Sequence, residues 1–307
     1  MARQVANLPK LNWVHISPVT GEDIGFLEKN YKFHHLDLKD CREGVQRPKI
    51  DIYKDYLFII FHFPIYNKKT KKVNIKPLNV FLGRNFLITL SGDKDRFLEN
   101  LILRTRKKIN KKISQDILDG SSGYLLYKIL DVLFRKTLPV VNKIGNQLAV
   151  VEHEVYTGKN KEATRDLAIS RRNILNLRRI LDPQLKIMDK IVEMRNDFLT
   201  EVLSTYFDDV DDYIENMWSA LDNYREVVDG LYNTNESFIN QKTNQVIQVL
   251  TIISVALLPL TLIASIYGMN VTGLPFANHP IGIWIIFIVM GGMVAGSIYF
   301  AKKNKMI

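Results

Sequence analysis

Two long runs of uncharged, mostly apolar residues near the C-terminus constrain the fold of this chain more than any other feature. Residues 246–266 and 281–301 each form a stretch of 21 residues without a charged side chain. At about 1.5 Å per residue, an α-helix of this length spans the roughly 30 Å apolar core of a bilayer. Two buried helices of a soluble core are the alternative, but soluble helices rarely run this long without a polar face. We therefore expect a membrane protein with a large soluble part.

The charges around the two runs predict their orientation. One lysine precedes the first run and three follow the second, whereas residues 268–280 contain no Lys, Arg, Asp or Glu (Lys242, Lys302, Lys303 and Lys305 are the flanking lysines). The positive-inside rule then places both termini in the cytoplasm and the short connection outside. The first residues lack the apolar stretch of a signal peptide. The single cysteine, Cys41, allows no intramolecular disulfide and agrees with a reducing compartment.

The region before the membrane runs predicts strands followed by long helices. The segments YLFIIFHFPIY (56–66), VNIKPLNVFL (73–82) and NFLITL (85–90) are rich in β-branched and aromatic residues, with turn-like NKKTKK and GR between them. A helical period follows, with interruptions expected at residues 119–123, near Gly158 and at Pro183. We predict a cytoplasmic α/β domain (1–120), a cytoplasmic helical region (121–245) and a transmembrane hairpin with a basic tail (246–307). The hairpin comprises a first span at 246–267, an outer loop at 268–280 and a second span at 281–301.

The last soluble helix carries a packing stripe that favours one continuous helix into the first span. Apolar residues recur at steps of three or four over more than four heptads: Leu199, Leu203, Tyr206, Val210, Tyr213, Met217, Leu221, Tyr224, Val228 and Leu231. No proline occurs between Pro183 and Pro259. One helix from near Leu199 through the span would approach 100 Å. Such a helix must pack on others, and copies of it could form a central stalk in a symmetric oligomer.

Two short segments contain residue types that bind nucleic acid or zinc in other proteins, but neither segment has the pattern of an established binding site. The net charge is +10, and the basic segment RTRKKINKK (104–112) lacks the interleaved aromatics or motif of a nucleic-acid site, so we expect no nucleic-acid partner. A solvated helix face or contact with anionic lipid explains it better. The segment HHLDLKDC (34–41) contains potential zinc ligands, but its spacing fits no established zinc site.

Polar and apolar positions of the first span lie near one helical stripe: Asn244, Ile247, Leu250, Ser254 (or Thr251), Leu258, Thr261 and Ser265. Each hydroxyl can bond to its own backbone or to a neighbouring helix, and that interpretation stays open. The stripe ends at Gly268, Met269 and Asn270, which favours the lining of a pore.

These residues complete a recognisable pattern. YGMN (267–270) closes the first of two C-terminal spans, after KTNQVIQVLTIISVALLPLTLIASI and before a lysine-rich tail. The chain resembles the CorA family of divalent-cation transporters, which have two spans and a Gly-Met-Asn motif. QRPKID (46–51), YLLYKILDVL (124–133) and KTNQVIQVLTII (242–253) also look like family segments, so the resemblance covers essentially the whole chain.

The resemblance implies a funnel-shaped α+β homopentamer in the plasma membrane, or in the inner membrane of a Gram-negative cell. Five long helices would line an axial pore, with the second spans around them and Tyr267, Gly268, Met269 and Asn270 at the external mouth. Mg²⁺ holds its waters tightly and prefers octahedral oxygen coordination. Carbonyls of Asn270 and Gly268 could therefore bind the hydrated ion without stripping it. Leu250 and Leu258 would form constrictions that gate by dewetting, and Gly268 is expected to supply backbone freedom.

An acidic segment suggests a sensor. Residues 188–240 contain 13 Asp and Glu against 3 Lys and Arg, most densely in YFDDVDDYIE (206–215). A solvated face remains the alternative. The resemblance implies a regulatory Mg²⁺ between subunits, held by Asp40 and Asp209 with Asp131 as a further contributor. Loss of the ion would let the like-charged subunits separate and open the pore.

The function that the resemblance implies is Mg²⁺ uptake driven by the membrane potential, with Co²⁺ or Ni²⁺ as possible passengers. Transport of zinc or another transition metal within the same family is the main alternative, because the outer loop VTGLPFANHP lacks the acidic residues that known members carry. A membrane-anchored enzyme would need a catalytic motif in residues 1–240, and none is found, so no enzymatic activity is expected. A scaffold with a hairpin anchor would leave YGMN unexplained.

Overall fold

The computed structural model describes residues 3–44, 46–92, 96–110, 121–157, 162–270, 274–275 and 281–303. Its strands are β1 (Arg3–Asn7), β2 (Asn12–Ile16), β3 (Lys49–Ile52), β4 (Tyr56–Asn67), β5 (Lys72–Gly83) and β6 (Phe86–Leu90). Its helices are α1 (Gly21–Asn30), α2 (His35–Glu43), α3 (Arg96–Asn110), α4 (Ser122–Thr157), α5 (Ala163–Glu193), α6 (Glu201–Tyr267) and α7 (Gly282–Lys303). The chain divides into two compact units, Met1–Leu231 and Tyr232–Ile307.

The first unit is built on one mixed sheet of six strands in the order β1-β2-β6-β5-β4-β3. Strands β2 and β6 pair in parallel, from Asn12 with Phe86 to Ile16 with Leu90, and all other neighbours are antiparallel. The strands predicted at 56–66, 73–82 and 85–90 are confirmed as β4, β5 and β6.

The sheet is buried on both faces, which explains the nearly continuous apolar run of β4. Leu57, Ile59 and Phe61 face a core shared with α3, α4, α5 and α6. Phe58 and Ile60 alternate with them and pack in a second core beneath α1 and α2. A strand covered on only one face would alternate apolar and polar residues, and β4 has no need to do so.

Helix α5 continues through Pro183, so the interruption predicted there is wrong. A proline removes one backbone donor from the helix. The neighbouring Gln184 is completely buried, and its side-chain Nε2 donates to the Ile180 carbonyl at 2.8 Å. The same side chain bonds the backbone N–H and C=O of His62 at 3.1 and 3.0 Å, where β4 extends beyond β3. Burial and these hydrogen bonds fix the helix against β4 next to the proline, so the helix continues although one backbone donor is missing.

Helix α6 contains 67 residues without a break, which confirms the prediction of one helix continuing into the first apolar run. At about 1.5 Å per residue it is about 100 Å long. Its packing stripe differs from the predicted one because Phe207 and Ile214 are buried, whereas Tyr206 is 39% exposed. The more apolar neighbour takes each core position and leaves the tyrosine at the edge, where its hydroxyl can remain hydrated.

The second unit contains the C-terminal part of α6 and helix α7. Among the described residues, α6 is the one helix both long and apolar enough to cross a membrane, and the apolar part of α7 is shorter, at Gly282–Ser297. Large apolar side chains of α7 such as Trp284 and Ile288 are exposed in the single chain.

Candidate functional site

The predicted pore mouth lies at the C-terminal end of helix α6. The backbone N–H of Gly268 still donates to Ala264 at 2.8 Å, and that of Met269 donates to Ile266 at 3.3 Å, so the last turn tightens before Asn270. The Tyr267 hydroxyl donates to the Pro275 carbonyl at 3.0 Å and ties the following loop to the helix. The C-terminal end of an α-helix carries roughly half a negative elementary charge on its unpaired carbonyl groups. A cation is therefore attracted to this end without any carboxylate.

Gly268 continues the turn of the preceding helix without an unusual backbone conformation. The expectation that it supplies unusual backbone freedom is wrong, because the only positive φ angles among the described residues belong to Lys71 and Gly44. A Cβ atom at Gly268 would lie 3.1 Å from the Ala264 carbonyl oxygen. Even an alanine would thus crowd the carbonyl that accepts the last helical hydrogen bond. The loop residues 271–273 and 276–280 lie outside the described part of the chain.

The predicted stripe of pore-lining residues is exposed along its whole length in the single chain (Asn244, Ile247, Leu250, Ser254, Leu258, Thr261 and Ser265). The large apolar side chains of the stripe are among the more exposed residues of α6, with exposed fractions of 62% for Leu250 and 67% for Leu258. The hydroxyls of Ser254 and Thr261 donate to carbonyls one turn earlier at 2.9 Å. Such bonds within the helix leave oxygen lone pairs pointing outward. The face therefore offers alternating apolar and oxygen-bearing positions to its surroundings.

The first predicted sensor residue, Asp40, is already paired within the chain. Lys49 Nζ lies 2.7 Å from Asp40 Oδ2 and 2.6 Å from Asp51 Oδ2. Burial opposes the charge on Lys49, but the two carboxylates outweigh it and raise the pKa of this ammonium group. An internal cation thus sits between two carboxylates at the edge formed by α2 and β3.

The other two predicted sensor residues both lie near Tyr127. Burial raises the pKa of the Tyr127 phenol, and the charges of Asp131 and Asp209 raise it further, so both carboxylates lie near this ring. Asp131 Oδ1 accepts a hydrogen bond of 2.7 Å from Arg135 Nε, while Asp209 is exposed. The described residues contain no group of three or more His, Cys, Asp or Glu that could hold a metal ion. Asp40, Asp131 and Asp209 therefore do not form one site within a single chain.

Asp211 is a perturbed carboxylate that the sequence analysis missed. Its Oδ1 atom is buried without a hydrogen-bond partner. Burial, together with the charges of four nearby carboxylates, raises the pKa of Asp211 to about 6 (Asp189, Glu215, Asp212 and Asp208). The density of acids in FDDVDD was the available signal, but the sequence could not indicate which of them is turned inward.

The potential zinc ligands of residues 34–41 make other interactions within the fold. Both oxygens of Asp37 accept hydrogen bonds from tyrosine hydroxyls, from Tyr53 at 3.1 Å and Tyr56 at 2.9 Å. Burial raises the pKa of the Cys41 thiol well above its ordinary value, which disfavours the thiolate that a metal requires. These residues stabilise the packing of α2 on the sheet.

Comparison with known proteins agrees with this architecture. Residues 9–303 match the model of the family described as CorA-like Mg²⁺ transporter protein. The cobalt/magnesium transport protein CorA of Thermotoga maritima is 27% identical over 297 residues, which cover 95% of this chain and 82% of that protein. The putative metal ion transporter YfjQ of Bacillus subtilis is also 27% identical, covering 95% of this chain and 89% of that protein.

Solved structures share the fold over nearly the whole chain. The complete CorA magnesium transporter of Methanocaldococcus jannaschii superimposes with a TM-score of 0.79 at 21% identity, covering 97% of this chain and 92% of that one. Full-length CmaX gives a TM-score of 0.73 at 20% identity, covering 98% and 90%. Both carry an N-terminal α/β domain and a long helix. The family model spans almost every residue, and the chain therefore belongs to the CorA family of divalent-cation transporters.

Proposed function

We propose that this protein is a Mg²⁺ channel of the plasma membrane that mediates ion uptake and is closed by cytoplasmic Mg²⁺. The observation that carries the proposal is the exposed stripe of α6, which leads without a charged side chain to Gly268, Met269 and Asn270. A face of this kind suits hydrated ions, because it offers oxygen atoms but no carboxylate that would hold a divalent ion too strongly.

The assembly that suits this face is a homopentamer with both termini in the cytoplasm. In a closed ring, the stripes of five α6 helices would meet around the axis, with α7 outside and in contact with lipid. The membrane potential then supplies the driving force. A divalent ion gains about 4.6 kcal/mol across 100 mV, twice the roughly 2.3 kcal/mol of a unit charge, so no nucleotide hydrolysis is needed.

Selection at the mouth would use Asn270. Mg²⁺ gives up its waters reluctantly, so a ring of side-chain carbonyls can accept hydrogen bonds from the hydrated ion. Co²⁺ and Ni²⁺ are possible additional substrates, and a relative in Thermotoga maritima is named for cobalt and magnesium. The transported ions are substrates, whereas a regulatory Mg²⁺ would reside between subunits.

We assign regulation to Asp40 of one subunit and Asp209 of its neighbour, with Asp131 beside Asp209. Asp209 is exposed and Asp40 lies at the surface edge of α2, so both are available to a second chain. Bound Mg²⁺ would screen the repulsion between the acidic faces of neighbouring subunits, and its loss would favour the open state.

Ion uptake into proteoliposomes tests the pore. We expect Asn270→Ala to lose most of its Mg²⁺ flux, while Asn216→Ala, an exposed asparagine in the same helix, should behave as the wild type. Both variants should retain the oligomeric size of the wild type. Undiminished flux through Asn270→Ala would rule out the assigned mouth. Competition by Co²⁺, Ni²⁺ and Zn²⁺ in the same assay distinguishes magnesium transport from transition-metal transport.

The sensor is tested with internal Mg²⁺ held high. Asp209→Lys should raise the flux and abolish the protection that Mg²⁺ gives against proteolysis. The substitution replaces a carboxylate ligand with a positive charge, which repels the ion. Asp208→Lys is the matched control, since it makes the same charge change at the adjacent exposed position. Equal effects of the two variants would mean that overall charge, and not a bound ion at Asp209, controls the pore.

A further inference from the structure

The turn between β4 and β5 forms a rigid, basic edge in the first unit. Asn67 Oδ1 accepts from the backbone N–H of Lys69 at 2.9 Å and of Thr70 at 3.3 Å, which fixes the turn. The next residue, Lys71, adopts a positive φ of 54°. The lysines of NKKTKK are therefore held on an ordered turn rather than on a flexible loop.

A buried asparagine fastens this turn to helix α5. Asn173 is 1% exposed, and its Nδ2 donates to the Lys71 carbonyl at 2.8 Å while its Oδ1 accepts from the Val73 N–H at 3.1 Å. Lys71 Nζ also lies 3.4 Å from Asp166 in the first turn of α5. The hairpin and the start of α5 thus have a fixed spacing.

Between the hairpin and α5 lies a concave surface, here called the hairpin groove, which has two adjacent ends that share lining residues. The basic end has a volume of about 680 Å³ and is lined by five basic and two acidic side chains (Lys69, Lys71, Lys72, Arg165, Arg172, Glu162 and Asp166). The second end, of about 410 Å³, lies against α4 and shares Lys71, Asp166 and Ile169 with the first. Each volume falls within the range of small-molecule sites, roughly 300–1,000 Å³.

The basic end carries positive charge that the protein itself does not neutralise. Within the described residues, the side chains of Lys69, Lys72, Arg165 and Arg172 have no ion pair. Arginine presents a planar fork that binds two oxygens of a phosphate, and lysine adds a point charge. The N-terminal end of α5 contributes the positive end of its dipole. This arrangement is suited to several phosphate groups at once.

The second end differs in chemistry. Amide groups (Asn146 and Gln147) stand beside apolar surface (Val150 and Ile169), and one further side chain of each charge completes this end (Lys143 and Glu154). The Gln147 Nε2 atom already donates to the Tyr66 hydroxyl at 2.6 Å, which orients its carbonyl oxygen. Amides beside apolar side chains suit the hydrogen-bonding edge and the flat face of a nucleobase better than they suit another phosphate.

We propose that the hairpin groove binds a nucleoside polyphosphate, with its phosphates at the basic end and its nucleoside at the end lined by Asn146 and Val150. The lining of this site includes no residue of the pore stripe and none of Asp40, Asp131 and Asp209, and the proposal does not depend on the assigned ion. A channel for Mg²⁺ that also binds such a ligand would respond to the main phosphate-bearing chelators of its cargo.

Binding to the purified full-length protein in detergent, without divalent cations, tests the proposal. Calorimetric titration with ATP, sodium triphosphate, AMP and sulfate should give the tightest binding for ATP, weaker binding for triphosphate, and the weakest for AMP and sulfate. Arg165→Ala/Arg172→Ala should weaken ATP and triphosphate by at least about tenfold, since each lost charge-assisted contact is worth about 1.5–3 kcal/mol. Arg179→Ala/Lys186→Ala, which removes the same charge from exposed positions of α5 outside the groove, should leave binding unchanged.

Asn146→Ala separates the two ends. It should weaken the binding of ATP but not that of triphosphate. All variants should keep the melting temperature of the wild type, because the altered side chains are exposed. Equal losses in the groove and control variants would overturn the proposal, as would equal affinity for ATP and triphosphate. Binding to phosphatidylglycerol vesicles that requires Arg165 and Arg172, without binding of ATP, would also overturn it and assign the groove to a lipid headgroup.

Discussion

Replacing Lys49 with glutamine tests whether an internal ammonium group competes with a divalent cation for Asp40. Lys49 Nζ lies 2.7 Å from Asp40 and 2.6 Å from Asp51, and its side chain is 36% exposed. Exposed ion pairs of this kind are worth up to about 1 kcal/mol each. Removing both should favour the cation by about 1–2 kcal/mol, which corresponds to a factor of about 5–30 in affinity.

The assay is protection from chymotrypsin as a function of Mg²⁺ concentration. We expect the half-protecting concentration of Lys49→Gln to fall by about 5–30-fold. Without divalent cations the variant should melt at a lower temperature than the wild type, because Asp40 and Asp51 then repel each other. Lys39→Gln is the matched control, because it removes the same charge from the residue next to Asp40. Lys39 pairs with Glu43 at 3.7 Å. An unchanged or higher half-protecting concentration in Lys49→Gln would refute the competition.

Three further predictions concern the first unit. Asn173→Ala should lower the free energy of unfolding by about 1–3 kcal/mol in chemical denaturation, since it leaves the buried Val73 N–H and the partly buried Lys71 carbonyl without their partner. A loss no greater than that caused by replacing an exposed asparagine would contradict this. Gly145→Ala should cost about 1–2 kcal/mol net in the same measurement, because overlap of the new methyl group with the Tyr224 ring exceeds the roughly 1 kcal/mol that alanine gains over glycine inside a helix. The same substitution in a Tyr224→Ala background should be neutral or stabilising. Burial alone would raise the pKa of Asp23, but hydrogen bonds, including that from Arg3, lower it below 3.8. Its ionised form therefore stabilises the fold above that pH, so Asp23→Asn should lower the melting temperature at neutral pH and have no effect once the pH falls well below 3.8. An equal effect at both pH values would argue against this linkage.

The strands and the long helix could be predicted because their signals are local. The composition of β4 and the turn after it are contiguous in the chain, and the apolar period of α6 recurs within each heptad. The parallel pairing of β2 with β6 joins residues more than 70 positions apart. No local pattern specifies that pairing, because it depends on which strand completes the buried sheet.

The errors in the predicted helices have a common cause. Helix propensity predicts a break at Pro183, and a simple apolar count places Tyr206 in the core instead of Phe207. In the folded chain, the buried Gln184 anchors the helix to β4 beside the proline, and the core selects the more apolar of two adjacent residues. Tertiary contacts override both local signals, and only the contacts themselves identify the residues that do so.

The three carboxylates proposed as a sensor differ in what the sequence reveals about them. Asp40, Asp131 and Asp209 can be named from motif context, but the sequence does not disclose that Lys49 and Arg135 already neutralise two of them. This pairing has a functional consequence if the site is shared between subunits. A cation that must displace Lys49 from Asp40 binds more weakly than one that meets a bare carboxylate, and a weak site empties as soon as the ion becomes scarce. Sensing needs an occupied state and an empty state of similar free energy, and an internal lysine brings the two closer together. The concentration at which the pore opens should therefore be set by Lys49 as much as by the carboxylates, which is why its replacement is the sharper test of the regulatory site.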